Sequence, residues 1–582
     1  MSPARNLGSS GDAANRSQEW LGDGGKNGFI ARHHLRQMGM SSRQFDGRPV
    51  IGIANTWSEL TPCNVHLRTL ADSVRRGIQQ AGGMALEFPF LSLGEPFMRP
   101  SSMLFRNLAA MELEELLRAN PLDAVVVLTG CDKTTPAGLM GLASVDLPAI
   151  MLTGGPMLNG RFRGRTVGSG TDIWRMSEEL RAGEITPADF AEFESSLNRS
   201  AGHCMTMGTA SSMACVAEAI GMQLPGAAAL PAVDSRRQVL AEDTGARAVE
   251  LATEGLRPST IMTRAAFENA IKVNAAVGGS TNAILHLLAI AGRVGVDLTL
   301  DDIDRIGREV PLLVDLMPSG QYLMEEFAYA GGVPALVSQM AALLDGSAIT
   351  VTGKSLEESM AGGHVDDARV IHSLADPVQS AGSGTAVLRG NLAPDGAVLK
   401  ISAAESRLLV HEGPAIVFDS LEDYLRVSEN DDLDVTGDSV LVVRNCGPRG
   451  YPGMPEVGNL PLPKKLIDQG IRDMVRISDA RMSGTAYGAC VLHVAPEAAV
   501  GGPLALVRTG DRIRLDAHKR LLEVVVSAEE MAERRSVWEA PALPDGRGWT
   551  RLYVEHVQQA DRGVDLDFLV GHSGDAPAKV AF

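Results

Sequence analysis

Asp123-Ala124-Val125-Val126-Val127-Leu128, followed at once by Thr129-Gly130-Cys131-Asp132-Lys133-Thr134, is the stretch on which the fold turns. An unbroken run of β-branched and aliphatic residues predicts a strand buried on both faces, as in a parallel sheet. Around it the same texture recurs. Val50 to Ala54 and Leu147 to Leu152 are short apolar runs, whereas Val65 to Ala81, Met205 to Met222 and Ile284 to Val294 carry apolar residues at helical spacing. Strand, loop and helix alternate, which predicts a layered α/β domain with a largely parallel sheet. In such sheets ligands bind beyond the carboxyl ends of the strands, where the Gly130 to Thr134 segment falls.

Ser373 to Gly384 (SLADPVQSAGSG) interrupts the pattern. Beyond it, Thr385 to Arg389, Ala397 to Ile401, Ala415 to Phe418, Ser439 to Val443, Leu504 to Val507, Arg512 to Leu515 and Leu521 to Val526 read as short strands separated by turns. The expected organisation is a polar N-terminal arm (1–26), an α/β domain (27–378) and a β-rich, barrel-like domain (379–582).

With 53 basic against 71 acidic residues the net charge is −18, so a phosphate-backbone partner is excluded for want of a basic face. Residues 1–20 contain no apolar run of signal-peptide length, and no stretch approaches the length of a membrane span. A cytoplasmic protein with neither nucleic-acid nor membrane partners is expected. In a reducing compartment its six cysteines are buried hydrophobes, ligands or nucleophiles, and not a disulfide framework.

Cys63, Cys131 and Cys204 stand in loops that follow apolar elements, in Pro62-Cys63-Asn64, Gly130-Cys131-Asp132-Lys133 and Gly202-His203-Cys204-Met205. Cys215 and Cys490 lie in apolar runs, and Cys446 sits in a Gly/Pro turn whose role the residues leave open. Cysteine separations of 68 and 73 residues match no zinc-ribbon or ferredoxin spacing. Cys131-Asp132-Lys133 places a soft thiolate, a hard carboxylate and an amine side by side, a mixture suited to two different metals, or a turn whose Asp caps the next helix. Glu95 and Glu456 occupy Gly/Pro-rich loops. Gly278 to Asn282 (GGSTN) precedes a helix and either caps it or binds a carboxylate there. Ser478 to Thr485 is a small, polar loop without a Gly-x-Ser-x-Gly elbow, which argues against a hydrolase triad.

Taken in order, Pro62-Cys63-Asn64, Thr129 to Lys133, Gly202 to Met205, Gly278 to Asn282, Pro452-Gly453-Met454-Pro455-Glu456, and Ser478-Asp479 through Ser483-Gly484 resemble the IlvD/Edd dehydratase family from about Arg16 to Val507. Arg16 to Trp20, Asn55 to Glu59 and Ser92 to Phe97 resemble its sugar-acid branch; dihydroxy-acid dehydratases generally carry Asp where Glu95 stands. The resemblance implies a [2Fe-2S] cluster on Cys63, Cys131 and Cys204. It also implies Mg²⁺, or Mn²⁺, held by Glu95, Asp132, Glu456 and a Lys133 carbamylated by CO₂, with Ser483 as catalytic base. Thr485 and His203 become candidate substrate contacts, and a homodimer or homotetramer is implied. The expected activity is dehydration of a pentonate or hexonate to its 2-keto-3-deoxy acid. The alternatives are a dihydroxy-acid dehydratase of branched-chain synthesis and, more remotely, a non-enzymatic iron-sulfur redox or sensor protein.

Overall fold

The computed structural model describes residues 15–544 and 546–576. Its first unit is built on a four-stranded, all-parallel sheet of order β2-β1-β3-β4, with β1 Val50–Asn55, β2 Met84–Pro89, β3 Ala124–Thr129 and β4 Ala149–Thr153. Every residue of β1, β3 and β4 is buried, which is why these strands read as continuous apolar runs. β2 buries only its first two residues, and its alternating remainder gave no such signal. Helices Leu67–Gln80 and Ser235–Glu254 pack on each other and on the sheet, and Arg106–Ala119 packs on Thr134–Val145. Leu67, Leu70, Ala71, Val74 and Ile78 supply the buried stripe of the first helix at the spacing one helical face requires.

After the β5/β6 hairpin (Gly160–Phe162, Arg165–Val167), eight strands form a closed barrel. They are β7 Thr385–Gly390, β8 Ala393–Lys400, β9 Val410–Phe418, β10 Val440–Val443, β11 Arg476–Ser478, β12 Cys490–Ala495, β13 Arg512–Asp516 and β14 Leu521–Val524. Their order around the barrel is β10-β11-β12-β8-β7-β14-β13-β9, and β9 to β12 run parallel. The expected α/β unit and barrel are both present. The run Leu504 to Val507, expected as a strand, is instead mostly a 3₁₀ turn, Pro503–Leu506; with Pro at its first position, one backbone donor is missing.

Part of the expected N-terminal arm is visible. Residues 1–14 lie outside the described residues, but Arg16 donates to the carbonyls of Arg118, Asn120, Leu122 and Asp575, and Ser17 donates to Asp123 through both its backbone and its hydroxyl. Asp123 also accepts from Val50 N–H, so this segment ties down the start of the sheet. At the other end, Trp549–His556 and the residues after it leave the barrel and pack on the α/β unit: Tyr553, Val554 and Leu566 share a core with Met103, Leu104 and Leu285. A buried Arg293–Asp565 pair (2.6 and 2.9 Å) fixes this return.

Glu218, fully buried in helix Thr209–Ala219, accepts from the backbone N–H groups of Gly226 and Ala228. Burial raises its carboxyl to about 7, the two hydrogen bonds opposing. A carboxyl raised in the folded state contributes stability that is full below its unfolded value and is lost as pH rises through the folded one, here on the order of 3 kcal/mol. Urea unfolding midpoints are therefore expected to fall between about pH 4.5 and 7, with a shallower slope in Glu218→Gln.

Candidate active site

Because β1 to β4 are parallel, their carboxyl ends share one edge, and the loops leaving that edge carry the predicted residues. Cys63 follows β1, Glu95 follows β2, and Cys131, Asp132 and Lys133 follow β3. The segment after β4 pairs with the Cys204 loop through a Pro156–His203 bridge. In the barrel, Glu456 lies between the parallel strands β10 and β11, and Ser483 between β11 and β12. The first of these loops meets the sheet edge, where Glu456 reaches Lys133, and the second lies against the start of helix Thr209–Ala219.

The Lys133 ammonium, with no exposed surface, lies 3.3 Å from Glu95 Oε2, 3.5 Å from Asp132 Oδ2 and 3.4 Å from Glu456 Oε1. The turn reading, with a solvated Lys133, is thereby excluded. Burial opposes the charge on Lys133, but Glu95 and Glu456 outweigh it and hold the amine above its ordinary value. Burial likewise pushes the Glu95 carboxyl up, but Lys133, Arg481 and the Ser102 hydroxyl bring it down to about 2. Glu456 is the most buried of the three and is raised, its burial and the neighbouring carboxylates overcoming the two cations.

Glu456 is held from two further sides, by Arg481 Nη1 at 2.8 Å and by Asn282 Nδ2 at 2.9 Å. Asn282 also donates to the Met482 carbonyl and to Thr209 Oγ1. Neither residue was singled out from the sequence. Arg481 lay inside a quoted loop with no mark of its own, and it is fully buried, donating to the Met454 carbonyl and Ser101 Oγ as well. The GGSTN segment acts through the Asn282 amide, and Thr281 makes no side-chain cap.

The three predicted cysteines are near enough to perturb one another. Contact with Cys131 is the main reason the Cys63 thiol is raised, followed by burial and the nearby Cys204 and Asp132; burial pushes Cys204 up to about 12. Gly130 permits the approach, since a Cβ there would stand 2.3 Å from Asn64 Oδ1. Cys215, Cys446 and Cys490 belong to apolar cores. His203 is buried, with Nδ1 at 3.1 Å from the Cys204 carbonyl and Nε2 unpartnered. If Nδ1 carries the proton, Nε2 is an acceptor. Through Nδ1 the ring lies against the backbone of the Cys204 loop.

Ser483 Oγ lies 2.9 Å from Thr485 Oγ1 and accepts weakly from Thr485 N–H at 3.4 Å. Thr485 Oγ1 in turn accepts from Trp174 Nε1 at 3.3 Å, leaving its own hydrogen for Ser483. Gly484 lies against helix Thr209–Ala219, where a Cβ would meet Thr209 N at 2.6 Å and Ser280 Oγ at 2.7 Å. Gly484→Ala must displace the serine loop, and a shift of about 1 Å predicts a kcat about 100-fold lower. Steady-state kinetics together with a melting curve check this.

Among the described residues no group of three or more His, Cys, Asp or Glu is closed enough to hold a metal ion as it stands. The donor chemistry nevertheless fits two groups. Three carboxylates converge on a buried cation, the Lys133 ammonium, and beside them the buried Cys131 and the half-buried Cys63 and Cys204 offer soft ligands.

Residues 48–359 match the dihydroxy-acid/6-phosphogluconate dehydratase N-terminal family and residues 369–564 its C-terminal counterpart. The chain is similar to an L-arabonate dehydratase of Azospirillum brasilense, 57% identical over 568 residues, covering 96% of this chain and 97% of that protein. It is 42% identical to a D-xylonate dehydratase of Caulobacter vibrioides (97% of each chain) and 41% identical to a dihydroxy-acid dehydratase of Acidothermus cellulolyticus (92% and 95%). With both halves matched and three relatives aligned nearly end to end, the chain belongs to the dihydroxy-acid/6-phosphogluconate dehydratase family and is a dehydratase.

Proposed function

We propose that the protein dehydrates a sugar acid, a pentonate or hexonate, to the corresponding 2-keto-3-deoxy acid. The single observation that carries the reading is the convergence of Glu95, Asp132 and Glu456 on Lys133 beside the three cysteines, with Asn282 linking Glu456 to the Met482 carbonyl next to Ser483. The substrate class follows from the relatives: sugar-acid dehydratases reach 57% identity, whereas dihydroxy-acid dehydratases stand at 41% and below.

The reaction breaks the C2–H and C3–O bonds, forms C2=C3, releases water and leaves an enol that tautomerises. When bound, a [2Fe-2S] cluster on Cys63, Cys131 and Cys204 supplies a Lewis acid for the leaving hydroxyl, and Mg²⁺ or Mn²⁺ on Glu95, Asp132, Glu456 and carbamylated Lys133 supplies positive charge beside the substrate carboxylate. Ser483 takes the C2 proton. A serine hydroxyl is too weak an acid to serve as base unaided, and the Thr485 hydroxyl and N–H are the donors placed to stabilise its alkoxide. Arg481 and Asn282 hold Glu456 in place, and Trp174 fixes which way the Thr485 hydroxyl points.

Carbamylating Lys133 turns a cation among three carboxylates into a fourth anion. Electrostatics therefore require the carbamate and a divalent cation to arrive together. Protein stripped with a chelator is expected to recover activity only when Mg²⁺ and bicarbonate are both supplied.

Among the described residues no helix is long and apolar enough to cross a membrane. The same reading carries a cytoplasmic homodimer or homotetramer; well-exposed Leu60 and Phe97, flanking Cys63 and Glu95, support a subunit contact near the site. Light scattering tests the assembly. Iron and acid-labile sulfide analysis, with a keto-acid assay across aldonates, tests the function: iron-free protein that is fully active, or turnover confined to 2,3-dihydroxy-isovalerate, overturns it.

A further inference from the structure

Two carboxyls that the chemistry above does not use lie at the root of both barrel loops. Asp479 opens the loop that carries Ser483, Glu497 follows β12, and neither has exposed surface. Asp479 Oδ1 accepts from Cys446 N–H and Oδ2 from Ala498 N–H, both at 2.9 Å. Glu497 accepts from Arg449 N–H at 3.0 Å, Gly450 N–H at 2.9 Å and the Gln559 amide at 2.7 Å. Cys446, Arg449 and Gly450 belong to the loop that runs from β10 to Glu456. The two carboxyls therefore tie the root of that loop to the start of the Ser483 loop and to the end of β12.

The Glu456 loop needs such a hold. Asn445 and Met454 have φ of 62° and 45°, in the left-handed region that residues with side chains occupy only where their surroundings impose it. A Cβ at Gly447 would stand 2.5 Å from Glu497 Oε2, so the loop backbone lies directly on this carboxyl. Further along, the loops pair with each other: Arg481 N–H donates to the Pro455 carbonyl at 3.2 Å and Gly458 N–H to the Arg481 carbonyl at 2.7 Å. A shift at the root thus reaches Glu456 and Ser483 together. Among the described residues neither carboxyl forms an ion pair, and two buried carboxylates without one resist ionising together. Burial, then Glu497, raises Asp479 to about 7, against the N–H groups of Ala498 and Cys446; burial raises Glu497 as well, against Gly450, Gln559 and Arg449. Among the described residues the other titratable groups facing the pair are Cys446 and Arg449 on the Glu456 loop, with Glu422 beyond Cys446, and Tyr553 on helix Trp549–His556.

We propose that Asp479 and Glu497 are positioning residues that keep Glu456 and Ser483 in register with each other, and that they do so while holding one proton between them. Loss of that proton to solvent puts a second charge into the buried space. The loops held by the pair then lose their register, and kcat falls on the alkaline side. The inference rests on the reading of Glu456 and Ser483 as site residues.

The test compares the holoenzyme with Glu497→Ala, Glu497→Gln and Asp479→Asn, measuring kcat and KM on the aldonate of highest kcat/KM across about pH 6 to 9, together with melting temperatures. Glu497→Ala is expected to lower kcat about 100-fold while KM stays within about threefold, as for a displacement on the order of 1 Å. Glu497→Gln keeps an acceptor for Gly450 N–H and should recover most of that loss. In Glu497→Gln and Asp479→Asn the alkaline limb of kcat should lie at least about one pH unit above that of the wild type, because the single remaining carboxyl meets no like charge. A purely structural role would lower the melting temperatures without moving that limb. A wild type with no alkaline limb, a limb unmoved in both amide variants, or glutamine no better than alanine overturns the pair. A Ser483→Ala variant that exchanges the substrate C2 hydrogen at the wild-type rate overturns the reading of the site instead, whatever the amide variants do.

Discussion

Ser483→Ala is expected to lower kcat by about 10³- to 10⁴-fold, the upper range for removal of a positioned proton acceptor, while iron, sulfide and Mg²⁺ contents stay at wild-type levels. The side chain lies in a loop whose backbone is secured independently: Asn282 holds the Met482 carbonyl, and Gly484 rests on Thr209. Removing one oxygen therefore leaves the fold and the neighbouring carboxylates untouched. Exchange of the substrate C2 hydrogen with D₂O, followed by NMR, should vanish with turnover. A variant that still exchanges this hydrogen at the wild-type rate would show that another group takes the proton. Thr485→Val removes only one of the two donors to Ser483 and should fall between the two, at roughly a 10- to 100-fold loss.

Lys133→Met carries the second large effect, and it is felt in stability as well as activity. In the wild-type chain a fully buried ammonium lies within 3.5 Å of Glu95, Asp132 and Glu456. Its loss leaves three converging carboxylates with Arg481 as the remaining close cation, and stripping one partner from a buried charge cluster costs about 3–5 kcal/mol. Chelator-treated variant protein should unfold at correspondingly lower urea at pH 7. Without the ammonium the carboxyls are raised in the folded state, so the deficit should shrink as pH falls and grow as pH rises. Activity should be abolished and bound Mg²⁺ lost. Wild-type stability at pH 7 in the stripped variant would mean that these carboxylates do not depend on Lys133 for their charge balance.

The sequence by itself determined the two-part architecture and named most of the residues of the candidate site. β1, β3 and β4 were legible because strands buried on both faces must be apolar throughout, and most of the barrel strands were legible as short runs between turns. Cys63, Glu95, Cys131, Asp132, Lys133, Cys204, Glu456 and Ser483 stood out as chemically versatile groups in small-residue loops, arranged in a family's order. Their convergence was not visible locally. It follows from parallel pairing, which sends four strand ends to one sheet edge and two barrel loops toward it, across hundreds of residues.

Arg481 and Asn282 illustrate what only the tertiary structure decided. Each is an ordinary polar residue in sequence, and each acquires its role from a carboxylate 25 or 174 positions away that burial would otherwise leave unpaired. The same holds for Trp174, whose indole reaches Thr485 across 311 positions, and for the C-terminal segment, which returns to the α/β unit through Arg293–Asp565. Periodicity and composition report how a residue meets its near neighbours. Which buried charge it must neutralise, and which hydroxyl it must orient, is fixed only when distant segments exclude water together.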